Sequence, residues 1–254
     1  MSAVRLVVFQ ARLEQRAFWR NPDYAFFTFA LPLVLLALLG ATKQNQHIPD
    51  SQLSVVTLVV PGILAFGIIA AAYANLAARV AVLRSDGVLK RLRTTPLPPG
   101  IYLAGQLAST LMTTFLVAIA TIALGRIAFG VAPQPSRIPL LALALCLSIV
   151  CFAALALAIS TVIRTADAAS PITNASYLPL ALISGIFDPN LKTPTWLSHA
   201  VNAFPIRALF DALQAAYNPA IQHFPTASLA VLATWCVAGI VLTLRYFRWQ
   251  PEAR

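Results

Sequence analysis

Six apolar runs dictate what this chain can become. They occupy residues 24–41, 53–78, 101–125, 138–163, 168–187 and 226–244. Each is close to the ~20 residues that an α-helix needs to cross a bilayer core. In hydrocarbon, each backbone N–H and C=O must be satisfied within the protein, so runs of this kind are read as helices. Of the 254 residues, 59% are hydrophobic and 10% charged, whereas a soluble domain carries roughly 25% charged residues. The reading is an all-α integral membrane protein of one domain. Residues 1–23 form an amphipathic surface helix, 24–244 the six-span bundle and 245–254 a tail. Pro32, Pro61, Pro171 and Pro179 lie within spans, where neighbouring helices take up the carbonyls that a proline frees.

The net charge is +10, but its distribution excludes a nucleic-acid footprint. The cations cluster at the ends of apolar runs and form no continuous face. With both termini inside, Arg5, Arg12, Arg16, Arg20, Arg79, Arg84, Lys90, Arg91, Arg93, Arg164, Arg245, Arg248 and Arg254 fall on the inner side. Lys43, Arg126, Arg137, Lys192 and Arg207 fall on the outer side. That asymmetry predicts cytoplasmic termini and a multi-pass protein of the cell membrane.

The chemistry that is missing narrows the function. No charged residue lies in the middle of a span, which disfavours a proton- or ion-coupled carrier. None of the three lysines, Lys43, Lys90 and Lys192, follows a glycine, so there is no phosphate-binding Gly-Lys loop. No catalytic residue, metal site or cofactor of the chain's own is expected. Cys146, Cys151 and Cys236 lie in apolar runs without Cys-x-x-Cys spacing and read as small buried hydrophobes. A gradient worked against by this chain therefore needs energy from another polypeptide.

Two polar segments remain to be explained. Residues 3–20 read as an amphipathic helix with Arg5, Arg12, Arg16 and Arg20 on one face, and Val4, Val7, Val8, Ala11 and Phe18 on the other. Glu14 sits near the apolar side; the helix either lies in the headgroups or meets a cytoplasmic partner through Glu14 and its neighbouring arginines. Between the second and third runs, residues 85–93 can form a short helix, stopped before Pro96. Val88, Leu89 and Leu92 line one side of it, with Lys90, Arg91 and Arg93 on the flank. A topology anchor needs no ordered apolar face, whereas a docking helix does. Residues 188–225 are apolar but cut by prolines into pieces too short to span, and read as outer re-entrant or interfacial helices, or as an external cap.

These segments resemble the ABC-2 family of membrane permeases. Asp86-Gly87-Val88-Leu89-Lys90-Arg91-Leu92-Arg93-Thr94-Thr95-Pro96-Leu97 is similar to the family's cytoplasmic signature, with one acid where the family often has a cluster of glutamates. Ser184-Gly185-Ile186-Phe187-Asp188-Pro189 resembles the end of its fifth span. Pro194-Thr195-Trp196-Leu197, Phe204-Pro205-Ile206-Arg207 and Asp211-Ala212-Leu213 resemble its outer region. The resemblance implies an export permease that docks on a separate ATP-binding subunit through Glu14, Arg84, Asp86, Val88, Leu89, Lys90, Arg91, Leu92 and Arg93. ATP and Mg2+ would act only through that partner. A second permease chain, identical or paralogous, would face this one across spans two and five. Phe66, Tyr73, Asn174 and Tyr177 would line a pathway for drug-like or lipid-like molecules. The competing readings are a stand-alone carrier and a membrane scaffold without transport.

Overall fold

The computed structural model describes residues 2–47, 54–85, 87, 98–163, 165–187, 194–221 and 223–246. Its order begins with α1 (Ala3–Trp19), α2 (Pro22–Lys43), α3 (Val56–Ile68), a π-helical turn (Ile69–Ala74) and α4 (Asn75–Ser85). It continues with α5 (Pro99–Phe129), a short 3-10 turn (Pro135–Arg137), α6 (Ile138–Ser160) and α7 (Ala166–Ile183). Last come α8 (Thr195–Asn202), α9 (Pro205–Tyr217) and α10 (Thr226–Tyr246).

Local chemistry sets the helix ends. The Asn21 side chain accepts from the Tyr24 N–H at 3.2 Å, with Pro22 opening α2, a pairing that satisfies one orphan donor and presets the first φ. Thr165 does the same for α7 through Ala168 N–H at 3.3 Å, and Asp167 in the first turn complements the helix dipole. At the end of α5, Gly130 adopts φ +66, Gly130 N–H bonds to Arg126 O, and Val131 N–H bonds to Gly125 O. That is a Schellman close, which needs a residue free to turn left-handed.

Among the described residues, five helices are long and apolar enough to cross a membrane: Pro22–Lys43, Val56–Ser85, Gly100–Phe129, Pro135–Ser160 and Thr226–Tyr246. The second is mostly buried and forms the axis of the bundle, while the first and last are mostly exposed. A helix exposing that much apolar surface is solvated by lipid. The remaining expected run falls on α7, which has 18 residues with Pro171 and Pro179 inside it and is not among those five. At ~1.5 Å per residue it is roughly 27 Å long. Its polar positions Asp167, Ser170, Thr173, Asn174 and Ser176 dilute its hydropathy.

The expected helix over 85–93 does not begin at Ser85. That residue is the last of α4, and Gly87, at φ +68, turns left-handed with its N–H on Arg84 O. A glycine in that conformation closes the preceding helix. Asp86, Val88, Leu89, Lys90, Arg91, Leu92 and Arg93 lie outside the described residues.

The apolar segment after α7 joins the core. Ile206, Leu209, Phe210 and Leu213 of α9 are buried, and α9 packs against α3, α6 and α10. By contrast α8 leaves Trp196 70% exposed.

Candidate functional site

The π turn puts Tyr73 opposite α7, which runs antiparallel to it. Tyr73 Oη and Ser176 Oγ are 2.7 Å apart, and the Tyr73 and Tyr177 rings meet edge-on at 6.1 Å. These residues form one wall of a groove of about 590 Å³, with Leu180 above them. Phe152, Leu155 and Ile159 of α6, with Val162 just beyond its end, make the floor, and Leu242 and Tyr246 of α10 the opposite edge. Phe204, Pro205, Ile206 and Trp235 close one end. Trp235 Nε1 donates to Ala203 O at 2.8 Å, and its ring stacks on Phe204 at 5.8 Å, so the closure is held by a polar and an apolar contact together.

From Trp235 to Tyr246, α10 rises roughly 16 Å at ~1.5 Å per residue. The groove therefore follows the spans lengthwise. A mainly apolar cleft with a few hydroxyls suits an elongated, largely hydrophobic ligand.

Of the expected lining residues, Tyr73 and Tyr177 reach the groove. Phe66 stands behind them, buried between Tyr177 and Phe187 at ring distances of 6.5 and 5.2 Å. Asn174 points its amide to Ser170 on its own helix at 3.3 Å. Ser176, Phe152 and Trp235 are lining residues that sequence reasoning missed.

A second constellation ties α1 to the bundle. α1 runs alongside the first turns of α5, with Gln15 Nε2 bonded to Ser109 O at 2.8 Å and to Thr113 Oγ1 at 2.9 Å. A β-carbon on Gly105 would fall 2.5 Å from Gln10 Cγ, so the glycine permits this approach. Glu14 turns inward and forms an ion pair with Arg79 of α4. It also accepts from Gln10 Nε2 at 3.0 Å. Gln106 completes the ring, its amide nitrogen donating to Glu14 at 2.9 Å and its oxygen accepting from Arg79 Nε at 3.2 Å. The carboxylate is thus engaged within the chain, and α1 is a packed helix with an exposed outer side. Arg84 is buried as well. The sequence did signal this cluster: Glu14 among apolar neighbours, and Arg79 alone at the end of its span.

A third cluster lies at the far end of α7. Arg207 donates to the Ser184 carbonyl at 2.8 Å and pairs with Asp211 at 3.0 Å, so a cation caps the carbonyl end of α7. Burial pushes the Asp211 carboxyl up, and the Arg207 guanidinium pulls it partly back. Among the described residues no three His, Cys, Asp or Glu side chains converge as a metal set would.

Bilayer-length helices around a lengthwise groove define a multi-pass helical membrane protein with room for a ligand. The family model for the ABC-2 type transporter matches residues 7–218, and the chain belongs to that family, the one its motifs resemble. It is therefore a permease component of ABC transporters, a transport domain without catalytic chemistry, in a family that generally pairs with an ABC ATP-binding subunit. No individual curated protein matches the chain.

Proposed function

We propose that this chain is the membrane subunit of an ATP-driven exporter that moves an amphipathic or hydrophobic molecule out of the cytoplasm or inner leaflet. The observation that carries the reading is the groove, about 590 Å³, apolar along its length and marked by the Tyr73–Ser176 hydroxyl pair. A hydrophobic solute would enter it from the bilayer without crossing water.

In this reading six helices cross the cell membrane, α7 included, and both termini are cytoplasmic. Two copies, or this chain and a paralogue, face each other. ATP and Mg2+ are bound by the separate subunit, which engages the stretch around Val88, Leu89, Lys90, Arg91, Leu92 and Arg93, with Asp86 at its start. The positions of Glu14 and Arg84 give them an indirect part, since both are buried. Glu14 transmits through Arg79 to α4, the helix that leads into that stretch.

Reconstitution tests the proposal. Proteoliposomes holding this chain and its ATP-binding partner should accumulate a hydrophobic fluorescent dye only when ATP is supplied. Vesicles holding this chain alone should show neither ATP hydrolysis nor dye movement under a pH gradient. Uptake driven by that gradient in the absence of the partner would replace the exporter with a stand-alone carrier.

A further inference from the structure

The outer side of α1 carries a cationic feature that takes no part in the ion pairs among the described residues. Viewed down the helix at about 100° per residue, Arg5, Arg12 and Arg16 lie nearly opposite Glu14, and Arg20 lies close beside them. All four are exposed. Apolar side chains flank this cationic stripe on both edges: Val8 and Trp19 on one, Phe9 and Leu13 on the other, between 41% and 57% exposed. Where the stripe meets the turn into α2, Leu13, Arg16, Ala17, Arg20 and Asn21 enclose a shallow notch of about 470 Å³. Phe26 and Phe27 are exposed in the first turns of the candidate span that follows.

We infer that this notch binds the phosphate of an anionic phospholipid in the leaflet on the N-terminal side. Two guanidiniums four residues apart on a helix converge on one phosphate and donate in forks that match its oxygens. The acid of α1, Glu14, is committed to Arg79 on the opposite face, so it leaves the stripe uncompensated. Asp23 lies just beyond the notch in the first turn of α2. Among the described residues it forms no ion pair with Arg16 or Arg20. The apolar flanks decide between a lipid and a dissolved phosphate. Leucine and aromatic edges beside a cationic stripe gain from acyl chains and the headgroup boundary, and gain nothing from water. The inference needs only the membrane-embedded fold and is independent of the transport reading.

The test uses the full chain purified in nanodiscs of phosphatidylcholine doped with phosphatidylglycerol, with retained lipid counted by native mass spectrometry. Wild-type protein should retain phosphatidylglycerol about tenfold over phosphatidylcholine, a preference worth roughly 1.4 kcal/mol, and the preference should fall as salt rises. Arg16→Gln with Arg20→Gln should bring the ratio close to one without changing Tm in pure phosphatidylcholine. Arg16→Lys with Arg20→Lys should keep part of it. If the glutamine pair does not fold, the salt series and the lysine pair decide. An unchanged ratio in the glutamine pair overturns the site, as does a wild-type preference indifferent to salt. Competition by inorganic phosphate at concentrations that leave bulk screening unchanged would assign the notch to a soluble anion. Loss of the ATP-binding subunit from the glutamine pair, with lipid preference intact, would assign the arginines to a protein partner.

Discussion

The carbonyl oxygen of Ile186 occupies the space into which a β-carbon on Gly62 would project. Gly62 lies in the buried α3, and Ile186 is fully buried just after the left-handed Gly185 that ends the α7 segment. The Ser-Gly-Ile turn thus docks by its backbone against the central span, with the Phe210 ring at the same spot.

Gly62→Ala should therefore separate the α7 end from α3. Overpacking against backbone costs typically 1–3 kcal/mol, and the obstacle here is a carbonyl that no rotamer change can move aside. The expected readout is a lower Tm and faster proteolysis after residue 183. A wild-type Tm would mean that the turn relaxes freely.

The Glu14–Arg79 pair predicts an asymmetry. The Glu14 side chain is 9% exposed and that of Arg79 31%. Arg79→Ala strands a buried carboxylate, at about 3 kcal/mol, whereas Glu14→Gln leaves a cation that can still reach solvent and the Gln106 amide. Thermal unfolding should rank Arg79→Ala well below Glu14→Gln. In the transport assay, Glu14→Gln should lower the transport achieved per ATP hydrolysed while the ATP-binding subunit stays bound.

Within the groove, polar and steric changes should act differently. Tyr73→Phe and Ser176→Ala each remove the same hydrogen bond, worth about 1 kcal/mol. Ser176→Ala also loses the bond its hydroxyl donates to Thr173 O at 2.6 Å, so the double mutant should cost little more than Ser176→Ala alone. Ser176→Trp should fill the groove and abolish dye transport with the fold and the ATP-binding subunit retained. Transport unaffected by Ser176→Trp would move the pathway elsewhere.

The Arg207–Asp211 pair makes a modest pH prediction. Burial raises the Asp211 carboxyl, so the folded state holds that proton more tightly than the unfolded one. Its contribution to stability is present at low pH and is lost as pH rises through the raised value. His223 lines the same small pocket as Asp211, so the comparison belongs in a His223→Gln background. There, Asp211→Asn should flatten the acid side of the Tm profile. Arg207→Ala should instead lower Tm at every pH, because it uncaps Ser184 O.

Much of this fold was legible because it depends on local composition. The apolar runs became helices close to where the hydropathy put them, and Asn21, Thr165 and Gly130 mark their ends in the sequence. The boundary at Ser85 was missed because a cationic amphipathic pattern continues through Asp86-Gly87, while the left-handed glycine that ends α4 reads as just another residue. The groove was half legible. Tyr73 and Tyr177 were named through the family resemblance, whereas Phe152 and Trp235 join them only through tertiary contact. Glu14 was visible as an anomaly, and its destination was not, since Arg79 lies far along the chain.

The π turn at Ile69–Ala74 left no mark in the sequence, because Ile-Ala-Ala-Ala-Tyr-Ala reads equally well as ordinary helix. A π turn takes in one residue more than an α turn, so every later position is rotated by about 100° relative to an uninterrupted helix. Correspondence with any relative whose second span is unbroken therefore holds above Ile69 and slips by one below Ala74. Counted straight through, Arg79 would be paired with a residue looking toward a different neighbour. For the half of this span that leads to the Lys90–Arg93 stretch, homology is kept by direction around the axis and not by position along it.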